Sequence, residues 1–128
     1  MNDKPRVGAG NIEITLAEKD YVLVPTLAAA QGISRQAGGL RKAIDSIMLM
    51  DIDVITRIIQ LGLGPKTVKE LGGAEKLPAI IWQEGMTDSS GQLALKCIEY
   101  INVLSNGGRP PTKEPDGEDG EAPGANPP

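Results

Sequence analysis

Chemistry in this chain would have to come from a short set of residues: Lys66-Thr67 behind a glycine turn, the Gly8-Ala9-Gly10 stretch, the acidic positions Asp51 and Asp53 and those between 116 and 120, and Cys97. Gly62-Leu63-Gly64-Pro65-Lys66-Thr67 follows an apolar run, as a phosphate-cradling loop does. Such a loop needs Gly, four residues, then Gly directly before Lys, whereas Pro65 stands between Gly64 and Lys66 and removes one backbone N–H. Nucleotide binding is not expected there. Val7-Gly8-Ala9-Gly10 opens like a dinucleotide fingerprint, but the third glycine position is Glu13 and the stretch precedes a strand instead of following one.

The acidic positions read as structure before they read as metal ligands. Asp51 and Asp53 suit the start of a helix, where an N-cap oxygen and the local field favour carboxylates. Asp116-Gly117-Glu118-Asp119-Gly120 lacks the ligand order of a calcium loop and its closing bidentate Glu. The chain has no histidine, so it has no Ser-His-Asp triad, no Cys-His pair and no imidazole ligand. Cys97 is the single cysteine, with no histidine to activate it and no partner for an intrachain disulfide. No carboxylate pair is placed for acid-base work. An enzyme is therefore not expected, nor is a cofactor or a metal.

The elements that would position any site follow from periodicity. Ile12, Ile14 and Leu16 alternate with polar residues, and Tyr21 to Val24 forms a second β-prone run that stops at Pro25. Between them Ala17-Glu18-Lys19-Asp20 has the length of a four-residue hairpin loop built on a type I turn. An isolated hairpin is marginal in water, so its apolar face must meet helices or a partner strand, and its outer edge is either covered or free to accept another chain.

From Thr26, an expected N-cap, apolar residues recur at helical spacing as far as Gly38-Gly39, with Gly32 threatening to break the helix. A second helix is expected from Leu40 to about Met50, and Asp51 caps a third that ends at Gly62 in a left-handed C-cap. Pro65 to Gly73 brackets a short helical turn, and a further helix follows Pro78 until Gly85. Thr87 or Asp88 caps a last helix from about Ser90 to Leu104, closed by Gly107-Gly108. The expectation is an α+β fold: an N-terminal β-hairpin, then a small bundle of four to five short helices around one aliphatic core. Residues 1–9 read as a flexible N-terminus, 10–105 as a single domain and 106–128 as a disordered acidic tail rich in Pro and Gly. That tail holds six of the ten prolines and no Val, Leu, Ile, Met or aromatic residue, too little apolar surface to offset the entropy of ordering it.

Charge and hydropathy narrow the partners. The chain carries 13 Lys+Arg against 17 Asp+Glu, with much of the excess in the tail and a nearly neutral body. No basic patch is available to neutralise phosphates, so nucleic acid is not expected as a partner. No apolar run approaches the roughly 18 residues of a membrane span, and the polar opening MNDKPRVGAG has no apolar h-region. A soluble protein without a signal peptide is expected, in a reducing cytoplasm. What remains for function is apolar surface. Met48, Leu49 and Met50, with Ile52 and Ile55, either fill a helix corner of the chain's own core or present an adaptable surface to a partner. Trp82, the only tryptophan, is either buried in the body or an anchor for a partner.

The order Gly10, Ile14-Thr15-Leu16, Tyr21-Val22-Leu23, Pro25-Thr26-Leu27-Ala28-Ala29, Ile33, Gly38, Leu40, Asp51, Ile58-Ile59, Gly62-Leu63 and Gly107-Gly108 resembles a known family. It is similar to the small gene-transfer-agent and phage proteins classed as tail assembly chaperones, also labelled tail tube proteins. The likeness spans about Gly10 to Gly108. It departs from the family at Ala17-Glu18-Lys19-Asp20, where a glycine pair is common, and in the acidic tail. The resemblance implies a role in virion assembly in the cytoplasm of a host carrying a phage or prophage, with the tape measure and tail tube proteins as partners. It transfers no residue-level motif, so Met48, Met50, Ile52 and Trp82 stand as candidate partner-binding residues on their apolar character alone. The alternative is a structural tail component, a tube or connector subunit that stays in the particle.

Overall fold

A computed structural model describes residues 10–87 and 92–110. The N-terminal stretch 1–9, most of the acidic tail with Asp116 to Gly120, and the expected cap region Asp88 to Ser90 lie outside the described residues. The fold is α+β. A two-stranded antiparallel hairpin, β1 (Ile12–Leu16) and β2 (Lys19–Leu23), precedes six helices: α1 (Leu27–Ala37), α2 (Leu40–Met48), α3 (Ile52–Leu63), α4 (Pro65–Glu70), α5 (Leu77–Glu84) and α6 (Leu93–Ser105).

The hairpin turn is tighter than its residues suggest. Leu16 pairs with Lys19, so only Ala17 and Glu18 make the turn, and both have positive φ, at 52° and 68°. That is a two-residue type I′ turn, whose twist matches the strands better than the expected four-residue loop. The Ala17 N–H donates to Glu84 Oε1 at 3.0 Å, which seats the turn on α5. Ile14, Leu16 and Leu23 point into the core, while Glu13, Thr15 and Asp20 face out.

Helix α3 is the hub. It packs against α1, α2, α4, α5, α6 and β2, and Ile55, Ile58 and Ile59 are fully buried. Burial of each such side chain contributes roughly 1.5–3 kcal/mol. Thr26 caps α1 through its hydroxyl, which accepts from the Ala29 N–H, and Asp51 caps α3, accepting from Asp53 and Val54. Gly32 does not break α1. A Cβ there would lie 2.8 Å from Leu61 Cδ1, so the missing side chain lets α1 approach α3. The expected C-cap at Gly62 is also displaced: α3 runs on to Leu63, Gly64 caps it, and Gly62 is buried within the helix.

Three helices end in the same way. After α2, Met50 N–H donates to Ile47 O and Asp51 N–H to Ser46 O; after α4, Gly72 donates to Lys69 O and Gly73 to Val68 O; after α6, Gly107 donates to Leu104 O and Gly108 to Val103 O. This paired closure puts one residue in left-handed backbone, usually glycine. Gly72 and Gly107 meet that demand after α4 and α6, whereas Met50 takes it after α2 with φ 61°. Helix α6 starts at Leu93 behind Gln92, later than the Thr87 or Asp88 cap would place it. The folded body continues past 105 to Pro110, where the Asn106 side-chain amide donates to the carbonyls of Arg109 and Pro110.

Candidate partner-binding surface

The residues with the chemistry for catalysis are occupied by structure. Cys97 is fully buried on α6, and loss of solvent pushes its thiol up to about 12, so it stays protonated. Asp51 spends its carboxylate on the start of α3. Lys66 and Thr67 lie in the six-residue α4 behind Gly64, whose φ of 88° and ψ of 160° build no nest of N–H groups. Among the described residues no group of three or more His, Cys, Asp or Glu is placed to hold a metal ion. No helix among them is long and apolar enough to cross a membrane.

The apolar candidates are differently placed. Core filling would have hidden Met48 and Trp82; instead they are 67% and 69% exposed, Leu49 between the methionines is 82% exposed, and Met50 is 38% exposed. The helix-corner reading of the methionines and the buried reading of Trp82 both give way. On α2 the core positions are Ala43 and Ile47, and on α5 they are Leu77 and Ile81, four residues apart as one helix face requires. Met48 and Trp82 each follow the last of these by one residue and so turn away from the core. Ile52 is half-buried at the start of α3.

Met48, Met50 and Ile52 form one corner, because the closing turn of α2 and the cap of α3 share residues 49 to 51. Trp82 belongs elsewhere. Helix α5 packs on α3 and β1, whereas α2 packs on α1, α3 and α6. The four candidates therefore make two separate patches.

A third apolar feature escapes sequence reasoning. A groove of about 590 Å³ runs between the end of β2, the start of α1 and the α3–α4 junction, lined by Val24, Ala28, Leu61, Leu63, Pro65 and Val68 among others. Its walls come from two stretches distant in sequence, residues 24–29 and 60–74, so no local periodicity announces it. Leu27, at the first position of α1, is 74% exposed near it. The hairpin also keeps open edge positions. In this register Asp20 and Val22 turn their N–H and C=O groups away from β1, and among the described residues no other backbone group meets them.

Comparison of the chain with protein-family models, with curated proteins and with solved structures returns no match.

Proposed function

We propose that this chain is a tail assembly chaperone of a phage, prophage or gene transfer agent, working in the host cytoplasm by binding tape measure or tail tube protein through apolar helix surfaces. The observation that carries the reading is the exposure of Met48, Leu49, Met50 and Trp82 on a body whose own aliphatic core is already closed. A contiguous run of large apolar side chains left in water beside a complete core, as at Met48 and Leu49, is the kind of surface a partner covers. Methionine suits a surface that must release its partner and accept another, because its unbranched chain repacks at little cost. The ordered run of Pro, Gly and apolar positions from Gly10 to Gly108, which resembles that of the tail assembly chaperones, supports the choice of family. The work is physical and needs no catalytic residue: the exposed side chains cover the partner's apolar stripe until the tube assembles around it.

Co-expression with the tape measure protein of the same genome tests this. One soluble complex on size-exclusion chromatography, with the partner insoluble when expressed alone, is the expected result. Separate elution removes the reading.

The second reading is a structural tail component, favoured by the open edge of β2 at Asp20 and Val22, which offers a ladder for strand addition between subunits. Purified particles separate the two: a chaperone is absent from them, and a tube or connector subunit is abundant.

A further inference from the structure

Two violations of ordinary local chemistry coincide at the corner between α2 and α3. The first is the row of Met48 and Leu49, mostly in water, continued by Met50, whose side chain is partly exposed. The second is the backbone of Met50, which occupies left-handed space where the equivalent closures after α4 and α6 use Gly72 and Gly107. Left-handed backbone is strained for a residue with a side chain and unstrained for glycine. Methionine at this position thus costs stability through backbone strain that glycine would avoid. The side chain is not part of the buried core, and 38% of its surface stays in water. Places where a chain breaks its own local rules in this way concentrate at functional sites.

The rim of the corner specifies the partner. Asp45 lies one turn before Met48 and Leu49 on α2, and Asp51 and Asp53 follow Met50 directly; all three are exposed. No Lys or Arg occurs between Lys42 and Arg57. Asp51 accepts from backbone N–H groups, and the structure gives Asp45 and Asp53 no ion-pair partner among the described residues. An apolar, adaptable surface with the carboxylates of Asp45 before it and Asp53 after it along the chain is complementary to an amphipathic helix whose Leu or Ile stripe is flanked by Lys or Arg.

We infer that the Met48-Leu49-Met50 corner is the docking site for a basic amphipathic helix of a partner protein, with Asp45 and Asp53 setting its orientation. This rests on the reading of the chain as a partner-binding protein and names the chemistry of the segment bound. Met48 and Leu49 supply contact area, and Met50 is held in glycine's place so that a third apolar side chain reaches the same helix. The carboxylates attract the basic flanks and disfavour acidic helices of equal hydrophobicity.

The test titrates the full chain by calorimetry with two synthetic helical peptides sharing one leucine stripe, one flanked by lysines and the other by glutamates. The lysine peptide binds, and the glutamate peptide binds at least about tenfold more weakly. Leu49→Gln weakens the lysine peptide by about tenfold, a factor within reach of one well-buried contact. Asp45→Asn with Asp53→Asn flattens the salt dependence of binding. Met50→Gly separates the roles: it melts at a higher temperature than the parent chain yet binds the lysine peptide more weakly, which no purely structural part for Met50 would produce. Equal binding of the two peptides, binding of neither, or full affinity in Leu49→Gln overturns the inference. A blue shift of Trp82 fluorescence with full affinity in Leu49→Gln places the contact on α5 and overturns it equally. The outcome is separable from the chaperone reading. Co-elution with tape measure protein alongside failure of the peptide tests leaves the chaperone and moves its surface, and the reverse pair of results leaves the docking site and removes the chaperone.

Discussion

The hydroxyl of Tyr100, at the middle of α6, donates a 2.7 Å hydrogen bond to the carbonyl of Val24, one residue past the end of β2. The N–H of Val24 in turn donates to the carbonyl of Gly62 at 2.9 Å. Both backbone groups of one residue are thus fixed by two different helices, and the end of the hairpin is locked to α3 and α6 together. The apolar groove beside Val24 keeps its wall because of this pair of bonds.

Tyr100→Phe keeps the ring in the core and removes only the donor. The expected loss is about 1 kcal/mol of unfolding free energy, the usual net worth of one such bond, with an unchanged denaturant slope. Urea denaturation followed by circular dichroism measures it. A loss well below 0.5 kcal/mol would mean that water replaces the hydroxyl at Val24 without cost.

Burial makes stability fall at alkaline pH. Desolvation pushes the Cys97 thiol from 9.0 up to about 12, and raises Tyr100 well above its ordinary value of 10.0, with the neighbouring Cys97 adding to the shift. A folded-state pKa raised in this way leaves stability intact below the unfolded value and removes it as pH climbs toward the folded one. The unfolding midpoint is therefore flat with respect to these two groups up to about pH 9 and falls from there. Cys97→Ala removes the first part of that fall, leaving an onset near pH 10 set by Tyr100. A midpoint that holds level to pH 11 in the parent chain would contradict the burial of both groups.

At Gly62 there is no room for a methyl group. A Cβ would come within 2.9 Å of the Leu23 Cβ and Cδ2 atoms and 3.2 Å of Tyr100 Cζ. The Leu23 Cβ is fixed to the strand backbone, so β2 and α3 must move apart. Gly62→Ala is expected to destabilise by about 1–3 kcal/mol in spite of alanine's better helix propensity. Thermal unfolding reads this directly, and a raised midpoint would show that the strand shifts freely.

Thr56 is buried in α3 with a hydroxyl that finds no hydrogen-bond partner among the described residues. An unpartnered buried hydroxyl carries a desolvation cost that a methyl of similar size does not. Thr56→Val is expected to leave stability level or raise it by up to about 1 kcal/mol in urea denaturation. A clear loss would reveal an acceptor that the hydroxyl reaches in solution.

Several capping and stop signals, though not those at Gly62 and Thr87, were legible in the residues because they act over three or four positions. Thr26, Asp51, Gly38 and Gly107-Gly108 all sit where their local chemistry puts them. The exposure of Met48 and Trp82 was not legible, since α2 and α5 are too short for periodicity to fix which stripe faces inward. In α5, Ile80, Ile81 and Trp82 are consecutive, and only the contact of α5 with α3 and β1 selects Ile81 for the core. The groove beside Val24 is less legible still, because its lining is assembled by tertiary contact alone. The corner at Met50 was half visible: its apolar residues stand out, but the left-handed backbone beneath them does not.

The hairpin turn hid for the opposite reason, because Ala17-Glu18 carries none of the residues that a type I′ turn favours. Both positions have positive φ, which Asn-Gly adopts with little strain and which Ala and Glu resist. Replacing the pair with Asn-Gly should stabilise the chain by about 1 kcal/mol. The one tertiary bond of the turn survives the exchange, since it comes from the backbone N–H of residue 17 to Glu84 Oε1. Ala17→Asn with Glu18→Gly is therefore expected to raise the thermal midpoint, and Glu84→Gln to lower it slightly in either background. A midpoint lowered by the Asn-Gly pair would mean that the Ala17 and Glu18 side chains themselves pack against α5, beside Ile80 and Gln83, with which they line one small pocket.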